Sequence, residues 1–101
     1  MSREVSQGKQ YQGEDESIAY TIDVTNWGSS PSSVSMAVYD VTNGRTDVSV
    51  DVVSGSTSVS GNVITLKTIS GLTLGYMYRV EVQFTISGNV FEAWFSIECQ
   101  R

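Results

Sequence analysis

The chain has 101 residues, a formal net charge of −5 and a single cysteine, which bounds it to one domain with a modest core and no disulfide inside it. Its 6 Lys and Arg are scattered among 11 Asp and Glu, which excludes the clustered cationic surface that nucleic acid or an anionic membrane requires. No apolar run approaches a membrane span, and the N-terminus MSREVSQGKQ lacks the apolar core of a signal peptide, so cytoplasmic assembly is expected, in keeping with an undisulfided fold.

Residues 1–16 are polar, end in the acidic cluster Glu14-Asp15-Glu16, and read as an arm with at most an edge strand around Lys9 to Gln12. Residues 17–101 then form the domain. Ile18, Tyr20, Ile22 and Val24 alternate with Ala19, Thr21 and Asp23, the period of a half-buried strand, which stops at the loop Asn26-Trp27-Gly28-Ser29-Ser30-Pro31. A further strand turns Val34, Met36 and Val38 inward and Ser35, Ala37 and Tyr39 outward.

A two-residue Asn43-Gly44 turn would oppose Asp40 and Asp47. The loop Asn43-Gly44-Arg45 with a bulge is therefore preferred, pairing Val38 with Val50 and Met36 with Val52. The alternative is that Val48 to Val53 leaves this partner for the other sheet. Gly61-Asn62 reads as the tip of a short hairpin with Val59 facing Ile64, Leu66 completes that strand, and Ile69 to Gly75 crosses over.

The last quarter carries the strongest pattern. Tyr76, Tyr78, Val80, Val82, Phe84 and Ile86 are apolar at every second position, and Phe91, Ala93, Phe95, Ile97 and Cys99 repeat the pattern. Gly88-Asn89 as a type II′ turn would pair Ile86 with Phe91, Phe84 with Ala93 and Val82 with Phe95, placing both rows on one face. No stretch holds the helical period over three turns. About seven short strands with regular turn signals predict an all-β fold, a two-sheet antiparallel immunoglobulin-like sandwich, with a small barrel as the other arrangement.

LTLGYMYRVEV at Leu72 to Val82 resembles the segment leading into the sixth strand of fibronectin type III domains, with Leu72, Gly75, Tyr78, Val80 and Val82 matching by spacing and Leu74 standing where Pro is usual. That resemblance implies a structural corner of Leu72, Gly75 and Tyr78, the Tyr78 ring in the core and its hydroxyl reaching backbone upstream. The Trp that such domains carry in their second strand is replaced here by Tyr20 and Ile22. The length, the Ser/Thr/Val/Gly texture and the closing ribbon are similar to those of the short, Cys-poor immunoglobulin-like proteins among phage and prophage structural genes.

Catalysis is poorly supplied. There is no His, no GxSxG elbow and no phosphate-cradling Gly loop, so neither a nucleophile with its base nor a bound cofactor is expected. Cys99 lies on an inward row, the position of a structural thiol. Asp40, Asp47, Asp51 and Glu14 to Glu16 have no calcium-loop spacing and read as solvated acidic surface, so no metal is expected.

Trp94 faces outward in the expected register, opposite Gln83, with Val90 on its own strand, Met77 on the neighbouring one and Tyr39 joining if the third strand lies alongside. Trp94, Tyr39, Met77, Val90 and Gln83 make either a contact surface or ordinary polar sheet face. Trp27 is either a loop contact or a plug for the open end of the core. Arg79 and Glu98 are expected to pair across the outer face. The expectation is a non-enzymatic module that binds protein subunits, its own copies or another virion component, with a glycan stacked on Trp27 and Trp94 as the alternative.

Overall fold

Four segments with β periodicity must bury their apolar rows against each other, and the computed structural model, which describes residues 2–100, shows how they do so. In chain order the elements are β1 (Ser2–Gly13), β2 (Thr21–Asp23), β3 (Ser32–Asp40), β4 (Thr46–Asp47), a single-turn helix α1 (Ser49–Val52), β5 (Val53–Ser54), β6 (Ser58–Ser60), β7 (Val63–Thr65), β8 (Thr68–Ile69), β9 (Met77–Ile86) and β10 (Asn89–Gln100). Met1 and Arg101, the outermost residues of the expected arm and domain, lie outside the described residues.

The fold is all-β. A 5-stranded sheet runs β1-β10-β9-β3-β4, a 3-stranded sheet runs β2-β7-β6, and β5 pairs with β8. Val38, Val80, Val82, Phe84, Ala93, Phe95 and Ile97 from the large sheet share one core with Ile22, Ile64 and Ile69 from the smaller ones and with Val24 and Leu66 just beyond β2 and β7. Burying both apolar rows in this way is the main stabilising term, at about 25 cal/mol for each Å² of apolar surface removed from water.

The β9-β10 ribbon keeps the expected faces and changes the expected register. Phe91 lies opposite Phe84 rather than Ile86, Ala93 opposite Val82, and Phe95 opposite Val80. The bend is Ser87-Gly88, with φ of 52° and 82°, not Gly88-Asn89. Positive φ at both central residues is the type I′ geometry, whose twist matches the strands it joins. Alternation could not choose between the two registers, because each leaves the same residues pointing inward. At the first SGNV the expected frame holds: Ser60 pairs with Val63 and Val59 with Ile64 around Gly61-Asn62. Tyr76, expected at the head of the inward row, precedes β9 and is exposed.

The expected Asn43-Gly44-Arg45 loop is also displaced. Tyr39 pairs with Asp47 and Asp40 with Thr46 around the loop 41–45, and neither Val50 nor Val52 joins β3. The chain follows β9 further than expected, Val41 N–H donating to Met77 C=O and Met77 N–H to Thr42 Oγ1. Val48 N–H still donates to Val38 C=O at 2.9 Å, but the Ser49 hydroxyl accepts the Val38 N–H at 2.8 Å in place of a second backbone bond, while Asp47 accepts the Ser49 N–H. The chain therefore turns into α1, leaving Val50 96% exposed and Val52 buried. Val53–Ser54 pairs with β8 in a two-stranded sheet of its own, so Val48 to Val53 neither pairs along β3 nor moves as a strand to the other sheet.

The N-terminal arm is a strand of 12 residues that pairs with β10 in parallel, so the large sheet is mixed rather than purely antiparallel. A polar strand of this kind is paired through its backbone, and side-chain alternation carries no trace of it. Its register shifts between Glu4 and Lys9. Gln12 is its one fully buried side chain among those described. The Gln12 amide donates to Ile69 C=O at 2.7 Å and Glu16 C=O at 3.0 Å, and its oxygen accepts the Tyr20 hydroxyl at 2.8 Å. A buried amide with every group paired costs little, and here it joins three segments.

Candidate functional site

Side chains at the even positions of β9 enter the core, so its odd positions meet the odd positions of β3 and the even positions of β10 on the opposite face of the large sheet. Tyr39, Arg79 and Ser96 form one row across that face, and Ala37, Glu81 and Trp94 form the next. Trp94 thus lies opposite Glu81, not Gln83, and Arg79 lies opposite Ser96, not Glu98, a direct result of the shifted register. Gln83 faces Glu92 and donates to it at 2.9 Å. Glu98 pairs instead with Lys9 of β1 at 2.6 Å, a contact that the parallel pairing of this edge strand creates. This partnership raises the Lys9 ammonium above its ordinary value and lowers the Glu98 carboxyl below it.

Five side chains in the middle of the face form one connected group. The Arg45 guanidinium lies over the Tyr39 ring at 4.2 Å, and that of Arg79 lies over Trp94 at the same 4.2 Å. Arg45 donates to Glu81 Oε2 at 2.9 Å, and Arg79 Nε approaches the same oxygen at 2.9 Å. The Arg79 N–H has no hydrogen-bond partner, so the second contact is an ion pair without hydrogen-bond alignment. One carboxylate therefore orders two guanidiniums, each already resting on an aromatic ring. A shallow depression of about 240 Å³ opens beside the group, lined by Ser35, Ala37, Tyr39, Glu81, Gln83 and Glu92 among others.

Of the residues expected here, Trp94 and Tyr39 are brought together, and both are half-buried. Met77 and Val90 are not part of the group. Met77 pairs with Glu98 near one end of the ribbon and Val90 with Thr85 near the other, roughly 27 Å apart at about 3.4 Å per residue. Arg45 and Glu81 are central to the group and were not singled out from the sequence, whereas Arg79, expected as the partner of Glu98, lies over Trp94. Arg45 reads in the sequence as turn chemistry, and only the observed loop brings it back over β3. The Trp94 ring face that carries Arg79 is not open to a sugar.

Trp27 ends a single turn of 3₁₀ helix (Thr25–Trp27) and stacks on Phe84, with ring centroids 5.2 Å apart and planes 6° apart. It packs against the core as a plug does, and Gly28 follows in close contact with Ile86. Leu72 and Tyr78 are buried, Gly75 has φ of 85°, and the Thr73 N–H donates to the Tyr78 hydroxyl at 2.9 Å, the upstream contact that the corner implies.

Cys99 is buried opposite Gln12, and burial pushes its thiol pKa up, helped by the charge of Glu14. Asp47 is held below the usual carboxylate range by the Ser49 N–H and hydroxyl, which makes it part of a turn. Among the described residues no group of three or more His, Cys, Asp or Glu gathers at metal-binding distance, and no helix is long and apolar enough to cross a membrane. Compared with known proteins, the chain matches no family model, no curated protein and no solved structure.

Proposed function

We propose that this chain is a non-enzymatic immunoglobulin-like sandwich module that works by protein contact, as a component of a phage or prophage virion. The neighbours β10-β9-β3 in one sheet and β2-β7-β6 in the other support the immunoglobulin-like reading, since they follow the GFC and BED strand orders of that plan. So does the Thr73 to Tyr78 corner. The phage assignment rests on the resemblance of length, texture and closing ribbon.

One observation carries the contact reading: Tyr39, Arg45, Glu81, Arg79 and Trp94 form an ordered group on a rigid sheet. Trp, Tyr and Arg dominate binding energy at protein interfaces. Here stacking and the shared carboxylate already restrict their rotamers, so less side-chain entropy is lost on docking. Each guanidinium retains N–H donors not directed at Glu81, which suits a partner presenting carbonyl or carboxylate oxygens.

The test is sedimentation of the purified chain, alone and with co-expressed structural subunits, beside the variants Trp94→Ala and Arg45→Ala. Each substitution is expected to weaken association about tenfold or more, a difference of about 1.4 kcal/mol, with little change in thermal unfolding. Association unchanged in the double variant would remove this face from the proposal.

A further inference from the structure

The hold on β1 differs from that on every other long strand. The core and the partly buried hydrophobics around it begin, in chain order, at Tyr20, so no described side chain of β1 contributes an apolar group. Lys9 and Tyr11 are exposed, and Gln12 is anchored by hydrogen bonds alone. The attachment also includes the Lys9 to Glu98 ion pair and a backbone ladder to β10 whose register shifts between Glu4 and Lys9. Backbone ladders do not distinguish one copy of a chain from another.

The connection out of β1 is a tight acidic turn. Gly13 N–H donates to Glu16 Oε1 at 2.6 Å and Glu16 N–H to Gly13 C=O at 3.1 Å, both local bonds at the surface. That turn crowds Glu14, Asp15 and Glu16 together, and like charges favour a more extended arrangement. Opening it breaks these local bonds, together with the bond from Glu14 N–H to Gln100 C=O that continues the pairing with β10.

We propose that β1 is an exchangeable strand, which pairs in the same register with β10 of a second copy and so links subunits. In the exchanged arrangement Gln12 meets Ile69 C=O and the Tyr20 hydroxyl of the receiving copy, and Lys9 meets its Glu98. Every long-range contact of β1 is remade, so the exchange is close to neutral in contact energy and is driven by concentration. The inference builds on the subunit-contact reading but uses a different surface, and its test does not touch Trp94.

Tyr11 and Glu98 are ladder neighbours on the outer face. Two chains are made with Cys99→Ser, one carrying Tyr11→Cys and the other Glu98→Cys, each with a different tag, and are refolded together and mildly oxidised. A mixed disulfide between them is expected, increasing with protein concentration and decreasing as salt screens the acidic turn. Val50→Cys, at a fully solvated position, replaces Tyr11→Cys as the control for random collision and is expected to give at least tenfold less product. If the mixed disulfide does not exceed that control, while a chain carrying both Tyr11→Cys and Glu98→Cys closes within itself, β1 stays at home and the proposal is overturned. Failure of the two-cysteine chain to close would overturn it as well, since the ladder would then not hold. As a second readout, deleting Asp15 and Glu16 shortens the hinge and is expected to convert monomer to dimer in sedimentation. A monomer there contradicts exchange.

Discussion

The Tyr78 hydroxyl accepts the Thr73 N–H at 2.9 Å, so one side chain buried in β9 fixes the loop that brings the chain across to the large sheet. Tyr78→Phe keeps the ring in the core and leaves that donor without its acceptor. A loss of about 1 kcal/mol in unfolding free energy is expected, read by urea denaturation with an unchanged slope.

Gly28 and Gly75 both adopt positive φ, but only Gly28 has a neighbour in the way. A Cβ at Gly28 would lie 2.7 Å from Ile86 Cγ2, whereas one at Gly75 meets nothing within 4 Å. Both alanine variants carry the backbone penalty of a left-handed residue, and Gly28→Ala is expected to cost a further 1 to 3 kcal/mol or so for overpacking. Equal thermal midpoints for the two variants would show that the Gly28 to Ile86 approach is not tight.

Ser87-Gly88 is a type I′ bend in which Ser holds a position that Asn prefers. Ser87→Asn is expected to stabilise the protein by up to about 0.5 kcal/mol, and the same change at Ser60, outside the Gly61-Asn62 bend, by nothing measurable. Paired thermal melts check both.

These two bends also show what was legible in the sequence and what was not. The tetrapeptide SGNV occurs at both, yet Gly-Asn forms the bend at the first and Ser-Gly at the second. The inward rows were legible because Val80, Val82, Phe84, Ala93, Phe95 and Ile97 alternate without interruption. The register was not, because sliding β10 by one full alternation leaves every one of them inward. The same ambiguity displaced the β3 loop and, with it, Arg45, whose place over Tyr39 depends on tertiary structure. β1 was least legible, since Lys9 to Gln12 pair through backbone groups common to all residues. Trp94 and Tyr39 could be read from parity alone, whereas Glu81 between them required the true cross-strand partners.

Arg45 and Glu81 are exposed enough that their ion pair is expected to be weak. A double-mutant cycle with Arg45→Ala and Glu81→Gln should give a coupling of about 0.2 to 1 kcal/mol, diminishing with added salt. Coupling that persists in high salt would point to a more buried pair than the structure has.

Tyr20 titrates late. Burial first, and the charge of Glu16 second, push its hydroxyl from 10.0 up to about 12. The folded chain therefore keeps a proton that the unfolded chain begins to release near pH 10, so this contribution to stability is complete below pH 10 and is lost as the pH rises toward about 12. Absorbance titration is expected to show a tyrosinate step near about 12 that Tyr20→Phe removes, together with the steepest part of the alkaline loss of stability.

Because β1 and β10 run the same way, Ser2 lies beside Glu92 and Gly13 beside Gln100, at opposite ends of their shared ladder. Tension applied through the two ends pulls these strands past one another rather than apart. The rungs between them are then loaded all at once, in shear, instead of being unzipped singly. A module wired in this way carries force along the two terminal strands, and the edge strand β1 becomes one of the pair that bears the pull.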